Sequence, residues 1–437
     1  MRIDFVATWK TVLAAIAGAV ALAFAVSLSG LVPIAASSGH FGPVGWFLHF
    51  TMQNVVDRQS MLIDVPDDID LDDPALVRRA AGHFATGCAP CHGAPGVPQS
   101  PVVLSMTPAP PRLEEKIPEW EDRELFWIVK HGIKYSGMPA WPALDRDDEV
   151  WAQVAFLRAL PAMTPQIYAD LALGGARPIL ELEAGGETLA GLDGIVEEAL
   201  ADCARCHGRE GLGAGADASG RAFPPIAGQP APYLLATLLA FAEGERHSGF
   251  MQPPATRYSP EVLARLAAWY ADQPTPGEAG LAPMAGIDGT EPAAAGAPAD
   301  WQGLPLPERE DGIPAQILPA KARSENQLVP AAAAGGPPED RPALLALGRL
   351  IAERGIASRK IPACESCHGA AGREREPLYP YLAGQPEWYA RTHLHLWKEG
   401  ERGGTPLSHV MGKIAVNMTD EQIDAVAAWY ASLPTGR

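Results

Sequence analysis

The chain is poor in positive charge: 34 Lys and Arg stand against 52 Asp and Glu, a formal net charge of −18. Nucleic-acid binding needs clustered cations on the phosphate backbone, so that class of partner is disfavoured. A partner with a basic docking face suits the acidity better. Catalytic signatures are missing as well, with no Ser-His-Asp arrangement, phosphate-binding loop or carboxylate pair spaced for acid–base work. Cysteine is scarce, six in 437 residues. Charge is absent altogether from residues 11–39.

All six cysteines fall in one repeated spelling. Cys88-Ala89-Pro90-Cys91-His92, Cys203-Ala204-Arg205-Cys206-His207 and Cys364-Glu365-Ser366-Cys367-His368 are three copies of C-x-x-C-H. A thioredoxin-like pair occurs once and in a βαβ setting. A structural zinc site needs four ligands, so three motifs leave one over. Disulfides give no reason for a histidine after every second cysteine. Covalent c-type haem attachment explains all of it: two thiols form thioethers to the porphyrin vinyl groups, and the adjacent histidine reaches the iron. The expected cofactors are three covalently bound haem c groups, held by Cys88, Cys91, Cys203, Cys206, Cys364 and Cys367, with His92, His207 and His368 on iron.

A chain of this length exceeds one core. The expected organisation is a membrane anchor over 1–40, an interfacial segment and acidic spacer over 41–73, and three haem domains over 74–161, 191–274 and 343–437. Linkers cover 162–190 and the Ala/Pro/Gly-rich stretch 275–342. The apolar run from Val12 to about Ala36 exceeds the usual 7–15 residues of a signal-peptide core and is long enough to span a bilayer. An uncleaved anchor is therefore expected, with cleavage after Ala25 as the competing reading. Arg2 and Lys10 against Asp4 place the bulk of the chain outside the cytoplasm, in the periplasm at a bacterial inner membrane. Trp46, Phe47 and Phe50 read as an aromatic segment at the interface. Helices are expected over Ala75–Thr86 and Leu344–Arg354.

The second and third domains share further repeats. Ala227-Gly228-Gln229-Pro230 matches Ala383-Gly384-Gln385-Pro386, and Gly244-Glu245-Arg246 and Gly400-Glu401-Arg402 each follow 17 residues later. Ala-Ala-Trp-Tyr-Ala closes both, at 267–271 and 427–431. Internal duplication accounts for this. The register nominates sixth ligands, because a c-type carrier generally closes its iron with a methionine thioether. Met138, Met251 and Met411 lie 18 residues before Phe156, Trp269 and Trp429, and 23 before Pro161, Pro274 and Pro434. Met106, Met163 and Met418 fall outside that frame. With a methionine in register, His131, His247, His393, His395 and His409 read as surface or propionate-contacting residues. Ser259 before Pro260, Thr419 with Gln422, and Asp145 are the expected caps of the closing helices. Those helices carry apolar faces, Leu263, Leu266, Ala267 and Tyr270 in one and Ile423, Val426, Ala427 and Tyr430 in another, with Gln153 the exception in the first.

On these motifs each domain resembles a class I cytochrome c, and the last two resemble periplasmic diheme cytochromes joined back to back. The resemblance implies an all-α fold: an N-terminal transmembrane helix followed by three class I cytochrome c domains. It also implies a proline carbonyl accepting from each proximal histidine. Pro224 and Pro380 match that position; Pro108, Pro110 and Pro111 compete for it in the first domain. The function expected is an electron carrier rather than a catalyst. It would serve a periplasmic respiratory chain between a quinol-oxidising complex and a haem–copper terminal oxidase. The alternative is the cytochrome subunit of a periplasmic dehydrogenase complex; a diheme-type peroxidase ranks last.

Overall fold

The computed structural model describes residues 8–32, 34–173, 194–213, 222–275, 341–368 and 376–435. Most of the 275–342 stretch, part of the 162–190 linker, and Arg2 and Asp4 lie outside the described residues. Regular structure among the described residues is helical, apart from isolated bridges at Ala94–Val97 and Ile356–Ile361.

Helix α1 (Trp9–Leu28) starts on a Thr8 capping box and has no buried residue. Its 20 residues would extend about 30 Å, enough to cross a bilayer core. Helix α2 (Gly42–Ser60) exposes Trp46, Phe47 and Phe50 while burying Val56 and Ser60. The buried side of α2 rests on α4 (Asp122–His131), where Arg123 pairs with Asp57 at 3.2 Å.

Each haem motif sits beside a crossing of two helices. In the first unit α3 (Pro74–His83) packs on α5 (Asp147–Ala159). Asp73 caps α3 by accepting from the Ala75 N–H at 2.9 Å. The expected helix Ala75–Thr86 ends early, because a π-helical turn over Phe84–Cys88 takes over. Such a turn inserts an extra residue and re-aims the side chains that follow it, here Cys88. The spacer and linker beside this unit also contribute to it. Leu71, Tyr168 and Ala172 are buried in its core, the last two on a helix at Pro165–Ala172.

In the second unit α6 (Gly194–His207) packs on α8 (Pro260–Ala271), which also meets α7 (Ala231–Ala242). Leu263, Leu266, Ala267 and Tyr270 are all buried, as the apolar periodicity requires. In the third, α9 (Arg341–Arg354) begins three residues before the expected start and crosses α12 (Asp420–Ser432), with α10 (Glu387–Glu399) and α11 (Ser408–Ala415) completing the unit. Gly348 makes this crossing close: a methyl there would run into the backbone carbonyl of Ala425. Thr419 and Gln422 form the expected capping box.

One cap is corrected. Asp145 does not cap α5; the N-cap is Arg146, which makes no side-chain capping bond. Asp145 instead engages His247 of the second unit at 2.6 Å, so a contact between units takes precedence over a local one. The correction improves the register. Arg146, Ser259 and Thr419 are the N-caps of the three closing helices, each eight residues after Met138, Met251 and Met411.

Candidate haem sites

The proximal histidines are oriented alike. Nδ1 of His92 lies 2.8 Å from the carbonyl of Pro111, that of His207 3.2 Å from Pro224, and that of His368 2.9 Å from Pro380. Donation from Nδ1–H leaves Nε2 unprotonated, with its lone pair available to iron. The structure thereby selects Pro111 among the three prolines open in the first unit. Burial pushes His207 down to about 4, keeping its ring neutral, which is the ligating form. After His92 and His207 the chain turns at Gly93 and Gly208, with φ of 72° and 73°, a conformation that favours glycine.

A continuous cavity of about 910 Å³ receives all six motif cysteines, the three histidines, and Met138, Met251 and Met411. Of the methionines outside the register, Met106 and Met163 do not line it, but Met418 does, only 4% exposed. His393 also reaches the wall, whereas His131, His247, His395 and His409 do not. No group of three or more His, Cys, Asp or Glu side chains among the described residues could hold a free metal ion.

The wall carries three arginines that lack a carboxylate partner among the described residues, Arg246 donating instead to Tyr389 Oη at 3.1 Å and Thr237 Oγ1 at 3.4 Å. Arg79 lies over the Trp388 ring at 3.4 Å, Arg246 over Phe241 at 4.5 Å, and Arg402 over Trp397 at 3.8 Å. No carboxylate pairs with any of the three among the described residues, and the Nε of Arg79 and of Arg246 has no hydrogen-bond partner. Burial pushes Arg79 down to about 10; burial and then the neighbouring Arg246 do the same to Arg402. A cation taken out of water without a counter-charge costs several kcal/mol. Haem propionates are anions of the right kind, and one arginine comes from each unit. Gln153, fully buried on the same wall, has both side-chain polar atoms unsatisfied. The residues fit the group they would hold. Bound with His and Met ligands, such a haem takes and releases one electron at its iron.

Sequence reasoning gave these arginines no role. Arg246 and Arg402 were visible as the last letters of the two Gly-Glu-Arg repeats, a signal that invariant spacing alone could not interpret. Arg79 had no signal.

Residues 75–157 match the family model for cytochrome c oxidase, cbb3-type, subunit III, and residues 355–434 match that for cytochrome c. A thiosulfate dehydrogenase electron acceptor of Thiomonas intermedia (strain K12) is 31% identical over 234 residues, 54% of this chain and 79% of that protein. The protein of the same description from Stutzerimonas stutzeri (strain A1501) is 28% identical over 231 residues, 53% of this chain and 78% of its own length. Among solved structures, reduced recombinant cytochrome c4 from Pseudomonas stutzeri is 20% identical with a TM-score of 0.36, covering 56% of this chain and 100% of that one. Likeness at 31% identity over 79% of a relative's length, added to three complete attachment motifs, settles the family: this chain belongs to the class I cytochromes c, a multi-domain member with three c-type haems, related in sequence to thiosulfate dehydrogenase electron acceptors and, at 23% identity over 86% of the Thiocapsa roseopersicina protein, to cytochromes c4.

Proposed function

We propose that this electron carrier takes electrons from a periplasmic dehydrogenase of the thiosulfate-oxidising type and passes them along three six-coordinate haems. The observation that carries this reading is the extent of likeness to two proteins described as thiosulfate dehydrogenase electron acceptors, at 78% and 79% of their lengths. It ranks the dehydrogenase alternative above the quinol-to-oxidase reading. In this assignment the cysteine pairs attach each haem, His92, His207 and His368 are proximal ligands, and Met138, Met251 and Met411 close the irons. The shared spacing from each methionine to its closing helix supports that set. An iron with both axial positions filled exchanges electrons without binding substrate. The domain boundaries expected from sequence and the periplasmic, membrane-anchored location belong to the same proposal, the latter supported by the exposed α1.

The test is direct. Haem-loaded protein is mixed with a thiosulfate dehydrogenase, and reduction of its haems is followed by absorbance on adding thiosulfate. Rapid thiosulfate-dependent reduction is expected; its absence with an active enzyme sinks the partner assignment. A second reading concerns the exit of electrons. The match of 75–157 to the cbb3-type oxidase subunit favours a terminal oxidase as acceptor from the first unit. Oxygen uptake by a haem–copper oxidase supplied with reduced protein would check it. Retention in membranes after a high-salt wash distinguishes an anchor from a cleaved signal.

A further inference from the structure

The segment that delivers Met251 is held mainly by a different unit. His247 Nδ1 lies 2.6 Å from the Asp145 carboxylate, and Arg146 donates to the His247 carbonyl at 2.9 Å. Ser248 Oγ donates to Glu149 at 2.6 Å, and the Gly249 N–H donates to its other oxygen at 2.5 Å. Phe250 packs into the first unit's core, its ring 5.6 Å from Trp141 and 5.5 Å from His83. A methyl at Gly249 would collide with the Trp141 indole. Four successive residues, 247–250, are thus gripped from the first unit, and Ser248 Oγ then accepts from the Met251 N–H at 3.0 Å.

Glu149 is the centre of this grip. Its side chain is buried, and a buried carboxylate is costly unless donors surround it. Besides Ser248 and Gly249 it has Arg146 at 3.1 Å and Trp141 Nε1 at 3.4 Å. Two of the four partners come from the second unit, so the carboxylate and the ligand segment stabilise one another. The third unit differs: Met411 lies within α11, whose own helix fixes it, while Met251 only caps a five-residue helix at Gln252–Thr256.

We propose that the first unit sets the axial ligation of the second unit's iron, with Glu149 acting through Ser248 and Gly249 as a positioning residue for Met251. The inference rests on the reading that Met251 closes that iron. Its consequence is that the coordination and potential of the second haem depend on docking of the first unit.

The experiment uses the full haem-loaded chain and three variants, Ser248→Ala, Glu149→Ala and Met251→Ala. Readouts are the far-red methionine-to-iron absorbance band, the midpoint potential of the second haem, and total haem by pyridine haemochrome. Met251→Ala should remove about one third of the band, the share of one Met-ligated haem in three. Glu149→Ala should remove most of the same share and lower the same potential, and Ser248→Ala should do so in part, all with three haems retained. If Met251→Ala removes its share while Ser248→Ala and Glu149→Ala leave band and potential unchanged, the clamp is wrong. If Met251→Ala leaves the band whole, the ligand assignment falls and takes the clamp with it. Should Glu149→Ala lose haem altogether, the milder Ser248→Ala decides alone.

Discussion

Gln229 and Gln385 hold the second and third units together by reaching for each other's chains. Gln229 donates to the Tyr381 carbonyl at 2.8 Å and accepts from the Tyr381 N–H at 2.9 Å; Gln385 donates to the Pro225 carbonyl at 2.8 Å. The two glutamines occupy the same place in the duplicated Ala-Gly-Gln-Pro, so the repeat has become a self-complementary junction, as in a two-fold dimer fused into one chain.

Both glutamines are buried, and Gln229 satisfies the backbone donor and the backbone acceptor of one residue, Tyr381. Truncating it strands both. Gln229→Ala should cost about 1–3 kcal/mol, the penalty for unpaired buried polar groups. Gln385→Ala should cost less, having one such bond. Chemical denaturation followed by haem absorbance checks the order; equal and negligible effects would show that the junction is held elsewhere.

Gly348 predicts a larger effect. The approach of α9 to the Ala425 carbonyl on α12 leaves no room for a side chain. Gly348→Val should therefore separate the crossing and destabilise the third unit by about 1–3 kcal/mol or more, the usual range for overpacking. The measurement is the thermal unfolding of that unit. A variant as stable as the parent would show that α9 can shift without loss.

Local chemistry made much of this legible in the sequence. The C-x-x-C-H motifs, the capping box at Thr419 and the buried faces of the closing helices are written in neighbouring residues. The distance from each methionine to its helix is likewise a local count. What the sequence hid depends on approach between distant elements. Asp145 looks like a cap and serves as a partner for His247; Gln153 looks like a flaw in an apolar face and lies on the haem cavity. Glu149 reads as an ordinary acidic residue in the first turn of a helix, well placed for the macrodipole. Only the docking of two units turns it into a buried anchor.

The arginines without a carboxylate partner bear on redox behaviour. A positive charge near a haem favours the reduced state, which carries one fewer positive charge at iron. Arg246→Ala and Arg402→Ala should each lower the midpoint potential of the haem they face, with haem content unchanged. Arg79→Ala should do the same at the junction with Trp388. Spectroelectrochemical titration reads the shifts. Potentials that stay put, or rise, would mean that these cations face solvent anions rather than propionates.

The His247–Asp145 pair should give the docking of the first unit a pH dependence. Its hydrogen bond to Asp145 raises His247, against burial, with Glu401 adding to the effect and Arg146 opposing it. For Asp145, burial pushes upward most strongly, but the bond to His247, the charge of His247 and the nearby Arg146 together outweigh it, so its value falls below the ordinary 3.8. The raised histidine contributes fully below its ordinary 6.5 and loses that contribution as pH climbs through its folded value. The lowered aspartate contributes above 3.8 and loses that as pH falls through its own. Docking should be firmest between those limits and weaken towards pH 8. His247 is half exposed, so the change should stay under about 1 kcal/mol. Comparing the thermal stability of the parent and His247→Gln at pH 5.5 and at pH 8 isolates the pair. The parent should lose stability between the two and the variant should lose less. Parallel losses would assign the pH dependence to other groups.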